Sequence, residues 1–242
     1  MKVKICGITD LDDAKKAVAF GADALGFQVG MKHKTEDEIS AYQAKEIASL
    51  LPPFVSSVMV THLDDSASII SLLEEIESIT TIQFHDDIDE REIETVGQRF
   101  PSIKLIKAIH VDGTSETLKK LLQYDQVVDA IIVDSVNLME DRIGGTGMTH
   151  DWSITRRMVN ESLLPVILAG GLTPENIQDA IITVRPYAID VNSGVKLDRY
   201  SRRKDTVKMK NLIYRAKNAF AKLKMERMDD SFTSSYINGR KG

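Results

Sequence analysis

Cys6 is the only cysteine in the chain, and it closes a short apolar run, Val3-Lys4-Ile5-Cys6, that leads into Gly7-Ile8-Thr9-Asp10. A lone thiol at the end of a strand is placed for chemistry rather than for cross-linking. Residues two apart on a strand share a face, so Lys4 and Cys6 point one way and Val3 and Ile5 the other. With an ammonium group one layer below, the thiol is expected to titrate below its ordinary value of about 8.5. The alternative is that Cys6 is a small buried hydrophobe. Other polar residues recur at the ends of β-rich runs: Gln83 and His85, Asp134, and Asp190 with Asn192. Each has a plain structural reading, Asp134 as a turn or capping aspartate, His85 as a hydrogen-bonded core histidine and Gln83 as a polar plug. Their common position at strand ends is what argues for a site.

The elements that must carry them follow from periodicity. Eight β-rich runs alternate with amphipathic helical patterns. The strands are expected at Val3–Cys6, Ala24–Val29, Ser56–Thr61, Thr80–Phe84, Lys104–Ile109, Ala130–Asp134, Pro165–Ala169 and Ala188–Asn192. The helices between them are expected at Asp12–Phe20, Ile39–Leu51, Ala67–Ile76, Glu90–Arg99, Ser115–Gln123, Ser153–Asn160, Pro174–Val184 and Asp205–Leu223. Such alternation implies parallel strands joined by crossover helices, and eight units in 242 residues favour a closed (β/α)8 TIM barrel over an open sheet. The barrel should span residues 1–224, and the polar stretch 225–242 reads as a flexible tail. In this architecture the active site gathers where the strands end at their carboxyl termini. Glycines follow three of the late strands, in Gly144-Gly145-Thr146-Gly147, Gly170-Gly171 and Ser193-Gly194. Backbone N–H groups exposed by the last two loops suit a phosphate.

Composition narrows the function classes. The formal net charge of −5 argues against nucleic acid as a partner. The basic stretch from Arg199 to Arg227 also carries Asp198, Asp205 and Glu226, and reads as a solvated helix face. No apolar run approaches the length of a membrane span, and a single cysteine with no apolar leader leads us to expect a reducing cytoplasm and no membrane partner. The five histidines, at 33, 62, 85, 110 and 150, are scattered without paired-ligand spacing, so metal catalysis is not expected.

Taken in order, Lys4-Ile5-Cys6-Gly7-Ile8-Thr9, Gly21-Ala22-Asp23-Ala24-Leu25-Gly26-Phe27, Gln83-Phe84-His85, Asp134-Ser135, Gly144-Gly145-Thr146-Gly147, Asp151-Trp152, Leu168-Ala169-Gly170-Gly171-Leu172 and Asp190-Val191-Asn192-Ser193-Gly194-Val195 resemble the phosphoribosylanthranilate isomerase family. The resemblance runs from Val3 to about Asp205. It implies an Amadori rearrangement of N-(5-phosphoribosyl)anthranilate in tryptophan synthesis, without cofactor or metal. It also implies Cys6 as general base, Asp134 as general acid, and Gln83, His85 and Asp190 as substrate-positioning residues. The phosphate is expected on Gly145, Thr146, Gly147, Gly170, Gly171, Ser193 and Gly194. For these roles the Asp134 pKa should be raised and that of Cys6 lowered.

The chain departs from the family pattern after strand two. Where the family carries Lys-Ser-Pro-Arg, whose arginine is expected to hold the anthranilate carboxylate, this sequence has Gly30-Met31-Lys32-His33-Lys34-Thr35-Glu36. Lysine is a point charge without the planar fork of arginine. The cationic cluster leads us to expect that Lys32, with His33 or Lys34, takes that role, the alternative being a solvated charged loop. Asp86 stands where glycine is usual, His150 where an aromatic precedes Asp151-Trp152, and the loop from Val136 to Ile143 is long. Two other readings follow from these departures: an isomerase of a related aminoaldose phosphate with another aglycone, and a non-catalytic phosphate-ligand binding barrel. The resemblance admits a monomer or a homodimer.

Overall fold

A computed structural model describes residues 2–111, 121, 123–137, 142–143 and 151–238. Eight parallel strands form the barrel: β1 (Lys2–Ile5), β2 (Ala24–Gln28), β3 (Ser56–Thr61), β4 (Thr81–Phe84), β5 (Lys104–Val111), β6 (Ala130–Asn137), β8 (Val166–Leu168) and β9 (Ala188–Val191). The strand order is β5-β4-β3-β2-β1-β9-β8-β6, and a β5–β6 pairing closes the ring. One short strand, β7 (Arg142–Ile143), pairs antiparallel with the end of β6, where the sequence suggested only a long loop.

Strand register follows the alternation of side chains. Val3 and Ile5 pack outward into the layer between sheet and helices, whereas Ile106, Ala108, Ala130, Ile132, Ile167, Ala169 and Ala188 form a separate interior cluster. Cys6 belongs to the interior with Val58 and Val60, so the expected shared face of Lys4 and Cys6 is present. Space for the thiol comes from Gly26 on β2, where a Cβ atom would stand 2.8 Å from the Cys6 sulfur.

The helices begin where local capping starts them. They are α1 (Leu11–Phe20), α2 (Ala41–Ala48), α3 (Ser66–Ile76), α4 (Glu90–Arg99), α5 (Trp152–Glu161), α6 (Ile177–Val184) and α7 (Thr206–Asn238). Asp10, Asp65, Asp89 and Asp151 each accept a backbone N–H from the first turn, and Ser40 forms a reciprocal capping box with Gln43 that starts α2 later than its apolar pattern does. Asn176 likewise delays α6: its side chain accepts from the Thr173 N–H and leaves Pro174 in the preceding turn. Helix α7 buries Met209, Leu212, Ile213, Ala216 and Phe220, packs on α1 and α6, and continues as helical backbone to Asn238, within the stretch expected as a tail. The expected helix at Ser115–Gln123 falls largely outside the described residues. No helix among the described residues is long and apolar enough to cross a membrane.

Candidate active site

The carboxyl ends of the strands surround a cleft lined by Cys6 from β1, Gln83 and His85 from β4, Asp134 from β6 and Asp190 from β9. Gly170, Gly171 and Ser193 line its β8–β9 side, and His33 lines it from the loop after β2. Gly145, Thr146 and Gly147 lie outside the described residues.

A polar chain crosses the floor. Lys4 Nζ donates to Asp190 Oδ2 at 2.9 Å and to Gln83 Oε1 at 2.9 Å, and the Gln83 amide nitrogen meets His85 Nδ1 at 3.1 Å. Asp190 keeps its other oxygen, Oδ1, buried without a hydrogen-bond partner in the protein. An unmatched buried acceptor costs about 1–3 kcal/mol, and a ligand hydroxyl or N–H would relieve that cost.

The same ion pair corrects the expectation for the thiol. Burial pushes Cys6 up to about 11, and although Lys4 and Lys204 pull it down, Asp190 pushes it up again. Lys4 is not the uncompensated cation its position on β1 suggested, because its charge is matched by Asp190. Near pH 7 the thiol is therefore neutral.

One wall is fixed by a second buried network. Asp37, in the loop after β2, is ion-paired to Lys196 at 2.8 Å and accepts from Asn192 Nδ2 at 2.8 Å. Lys204 donates to Asn192 Oδ1 at 2.7 Å, and burial brings its pKa down to about 8. The loops after β2 and β9 are thus clamped together beside Cys6. Close by, a Cβ on Gly194 would lie 1.9 Å from the Leu172 carbonyl oxygen, so only glycine permits the β8 and β9 loops to approach this closely.

The family model for N-(5'-phosphoribosyl)anthranilate (PRA) isomerase matches residues 3–215. N-(5'-phosphoribosyl)anthranilate isomerase 2 of Methanosarcina mazei is 43% identical over 224 residues, covering 93% of this chain and 97% of that protein. The phosphoribosyl anthranilate isomerase of Thermotoga maritima superposes with a TM-score of 0.78 at 34% identity, covering 90% of this chain and 99% of that one. A phosphoribosyl anthranilate isomerase solved in complex with reduced 1-(o-carboxyphenylamino)-1-deoxyribulose 5-phosphate matches with a TM-score of 0.75 at 32% identity, over 90% and 99% of the two chains. The chain belongs to the PRA isomerase family.

Against that family, the cationic loop after β2 is arranged differently from expectation. Lys32 is ion-paired with Asp64 at 2.7 Å and with Asp86 at 3.7 Å, and it is not among the residues lining the cleft. Asp86, one of the departures from the PRA isomerase pattern, thereby helps to draw the lysine away. His33 and Lys34 do line the cleft, as does Arg199, which the sequence placed on a solvated helix face but which precedes α7.

The histidines overturn their apparent scatter. His33, His62, His85 and His110 form a continuous row of ring contacts, with centroids 6.3, 5.2 and 5.0 Å apart along it. They come from the ends of consecutive strands, which adjacent sequence cannot reveal but strand order can. Among the described residues they do not converge as metal ligands. The one grouping there that does, Asp10 with Asp12 and Asp13, is clasped by Arg203.

Proposed function

We infer that this chain isomerises N-(5'-phosphoribosyl)anthranilate to 1-(2-carboxyphenylamino)-1-deoxyribulose 5-phosphate, an aldose–ketose step of tryptophan biosynthesis. The observation that supports the assignment of roles is the placement of the thiol of Cys6, directly after β1, and the carboxyl group of Asp134, on β6, on either side of the β8–β9 end of one cleft.

The phosphate binds the loops after β8 and β9, at Gly170, Gly171, Ser193 and Gly194, with Gly145, Thr146 and Gly147 from the preceding loop. That fixes the sugar across the barrel mouth. Asp134 gives its proton to the furanose ring oxygen, the C1–O bond breaks, and the nitrogen lone pair forms a protonated Schiff base. Cys6 then takes the proton from C2, and the electrons of that bond become the C1–C2 double bond of the enolamine while the nitrogen regains its lone pair. Ketonisation returns a proton to C1 and releases one from the C2 hydroxyl. The sum is an isomerisation needing no oxidant or reductant. Asp190 Oδ1 accepts a hydrogen bond from the open-chain sugar, and His85, held by Gln83, orients it.

A neutral resting thiol is compatible with this sequence of steps. The protonated Schiff base brings a positive charge beside the sulfur, so the thiol first loses its own proton to solvent, and the thiolate so formed then takes the C2 proton, which the same charge acidifies. Delay of thiolate formation until that point leaves the lone cysteine protected from oxidation between turnovers.

On this reading the protein works in the cytoplasm on a small phosphorylated substrate, as a monomer or homodimer. The deciding experiment is turnover of freshly generated substrate, followed by its fluorescence, in the native protein beside Cys6→Ser and Asp134→Asn. Each substitution is expected to lower kcat by at least about 100-fold, the usual range for a general acid or base. Full activity in either folded variant removes that residue from the mechanism, and a folded but inactive native protein removes the function.

A further inference from the structure

The reaction above employs only one of the four histidines gathered at the barrel mouth, His85. His62, which follows β3 directly, is 7% exposed and lines the cleft. Its ring lies parallel to that of His85, 5.2 Å away at 7°, and the edge of His33 meets it at 6.3 Å. Its backbone N–H and the neighbouring Thr61 hydroxyl both donate to the Gly30 carbonyl, so the end of β3 is tied to the loop after β2. His62 Nδ1 is buried without a hydrogen-bond partner. Nε2 is not shut away in this fashion, so the tautomer protonated there presents its N–H as a donor.

Strand order says what that donor meets. Around the ring β8 and β9 are neighbours, Asp134 on β6 and Cys6 on β1 flank them, and the boundary between β3 and β4 stands directly opposite. A ligand whose phosphate rests on the β8–β9 loops and whose sugar lies between Asp134 and Cys6 must therefore extend its aromatic end over β3 and β4. The groups waiting there are His62 and His85. Lys32, the cation expected for that end, is held by Asp64 and Asp86.

We propose that His62 is the specificity-determining residue for the aromatic half of the substrate, its Nε2–H donating to the ring carboxylate while His33 covers it from the loop after β2. The proposal rests on the isomerase reading. It assigns carboxylate recognition to a rigid stacked imidazole rather than to a flexible cation. The stack on His85 holds the donor in place, so little side-chain freedom is lost when the ligand arrives.

The test compares two probes by titration calorimetry: reduced 1-(o-carboxyphenylamino)-1-deoxyribulose 5-phosphate and the same molecule lacking the carboxylate. The native protein is expected to prefer the carboxylated probe. His62→Ala should weaken that probe by roughly 10- to 100-fold, the range for a hydrogen bond to a charged acceptor, and leave the other within about twofold. His62→Gln, which retains an N–H donor, should recover part of the preference and stands in if the alanine variant does not fold. Equal weakening of both probes, or selective loss in Lys34→Ala or Arg199→Ala with none in the His62 variants, overturns the proposal. Native protein that binds both probes equally overturns it while leaving the isomerase reading intact, whereas native protein that binds neither overturns both.

Discussion

At the scale of single residues, Cys6 shows how a correct local reading yields the wrong sign. The alternation Val3-Lys4-Ile5-Cys6 does put lysine and thiol on one face, and Lys4 does favour the thiolate. Two larger facts are invisible in that tetrapeptide: the thiol is 5% exposed, and the ammonium is already matched by Asp190, a residue at the far end of the chain. Desolvation therefore wins. Because Cys6 is the only cysteine, alkylation reports on it alone. We predict that iodoacetamide modifies the ligand-free protein with an apparent pKa near 11. At pH 8 the thiolate is then roughly one part in a thousand, so the rate should fall about 100-fold below that of an exposed cysteine, before any further slowing by limited access. A rate–pH profile with its midpoint below 8 would show that the cation controls the thiol after all. Gln83 and His85 were legible as strand-end polar residues, whereas His62 was not, because one histidine after an apolar strand has no distinguishing neighbour in sequence.

At the scale of elements, what positions the site is the clamp between the loops after β2 and β9. The strands themselves were legible, since alternation and β-branched runs mark their cores, and most helix starts follow from Asp or Ser caps that can be read directly. The clamp was not, because Asp37, Asn192, Lys196 and Lys204 meet only after the ring closes. The hairpin of β6 with β7 was missed for a different reason: two residues are too few to show a period. Lys196 and Asp37 are 5% and 2% exposed at their side chains, so each neutralises a charge that water cannot reach. Removing one partner strands the other. We predict that Asp37→Ala lowers unfolding free energy by about 3–5 kcal/mol, the usual cost of leaving a buried charge uncompensated, measured by urea denaturation. Loss of less than about 1 kcal/mol would mean that Lys196 finds water or another anion, and that the clamp contributes geometry rather than stability.

At the scale of the whole molecule, a parallel sheet sets side by side strand ends that a whole helix separates in sequence, and the histidine row along β2, β3, β4 and β5 is the clearest product of that arrangement. It also gives the folded state a dependence on pH. Burial lowers the pKa of His62, lowers that of His85 well below the ordinary value, and brings His110 down to about 4 from 6.5. Above pH 6.5 these rings are neutral in both folded and unfolded chains, so they contribute no slope. Below it the unfolded chain takes up protons that the folded chain refuses, and stability is lost as pH falls from 6.5 toward about 4. His110 alone accounts for roughly 3 kcal/mol across that window, at 1.36 kcal/mol for each unit. Carboxylates with depressed values, such as Asp23, act in the same direction but at lower pH, because their unfolded reference is 3.8. The histidine contribution is therefore separable by its window and by substitution. Urea unfolding at intervals between pH 7.5 and 4.5 should show a steady decline beginning near 6.5, and His110→Gln, which keeps a donor for the His85 carbonyl, should shallow that decline by about one proton's worth of slope. Stability that holds flat to pH 5 in the native protein, or a slope that His110→Gln leaves unchanged, would mean that the row opens to solvent readily enough to titrate in place, and the barrel mouth would then be a looser structure than its packing indicates.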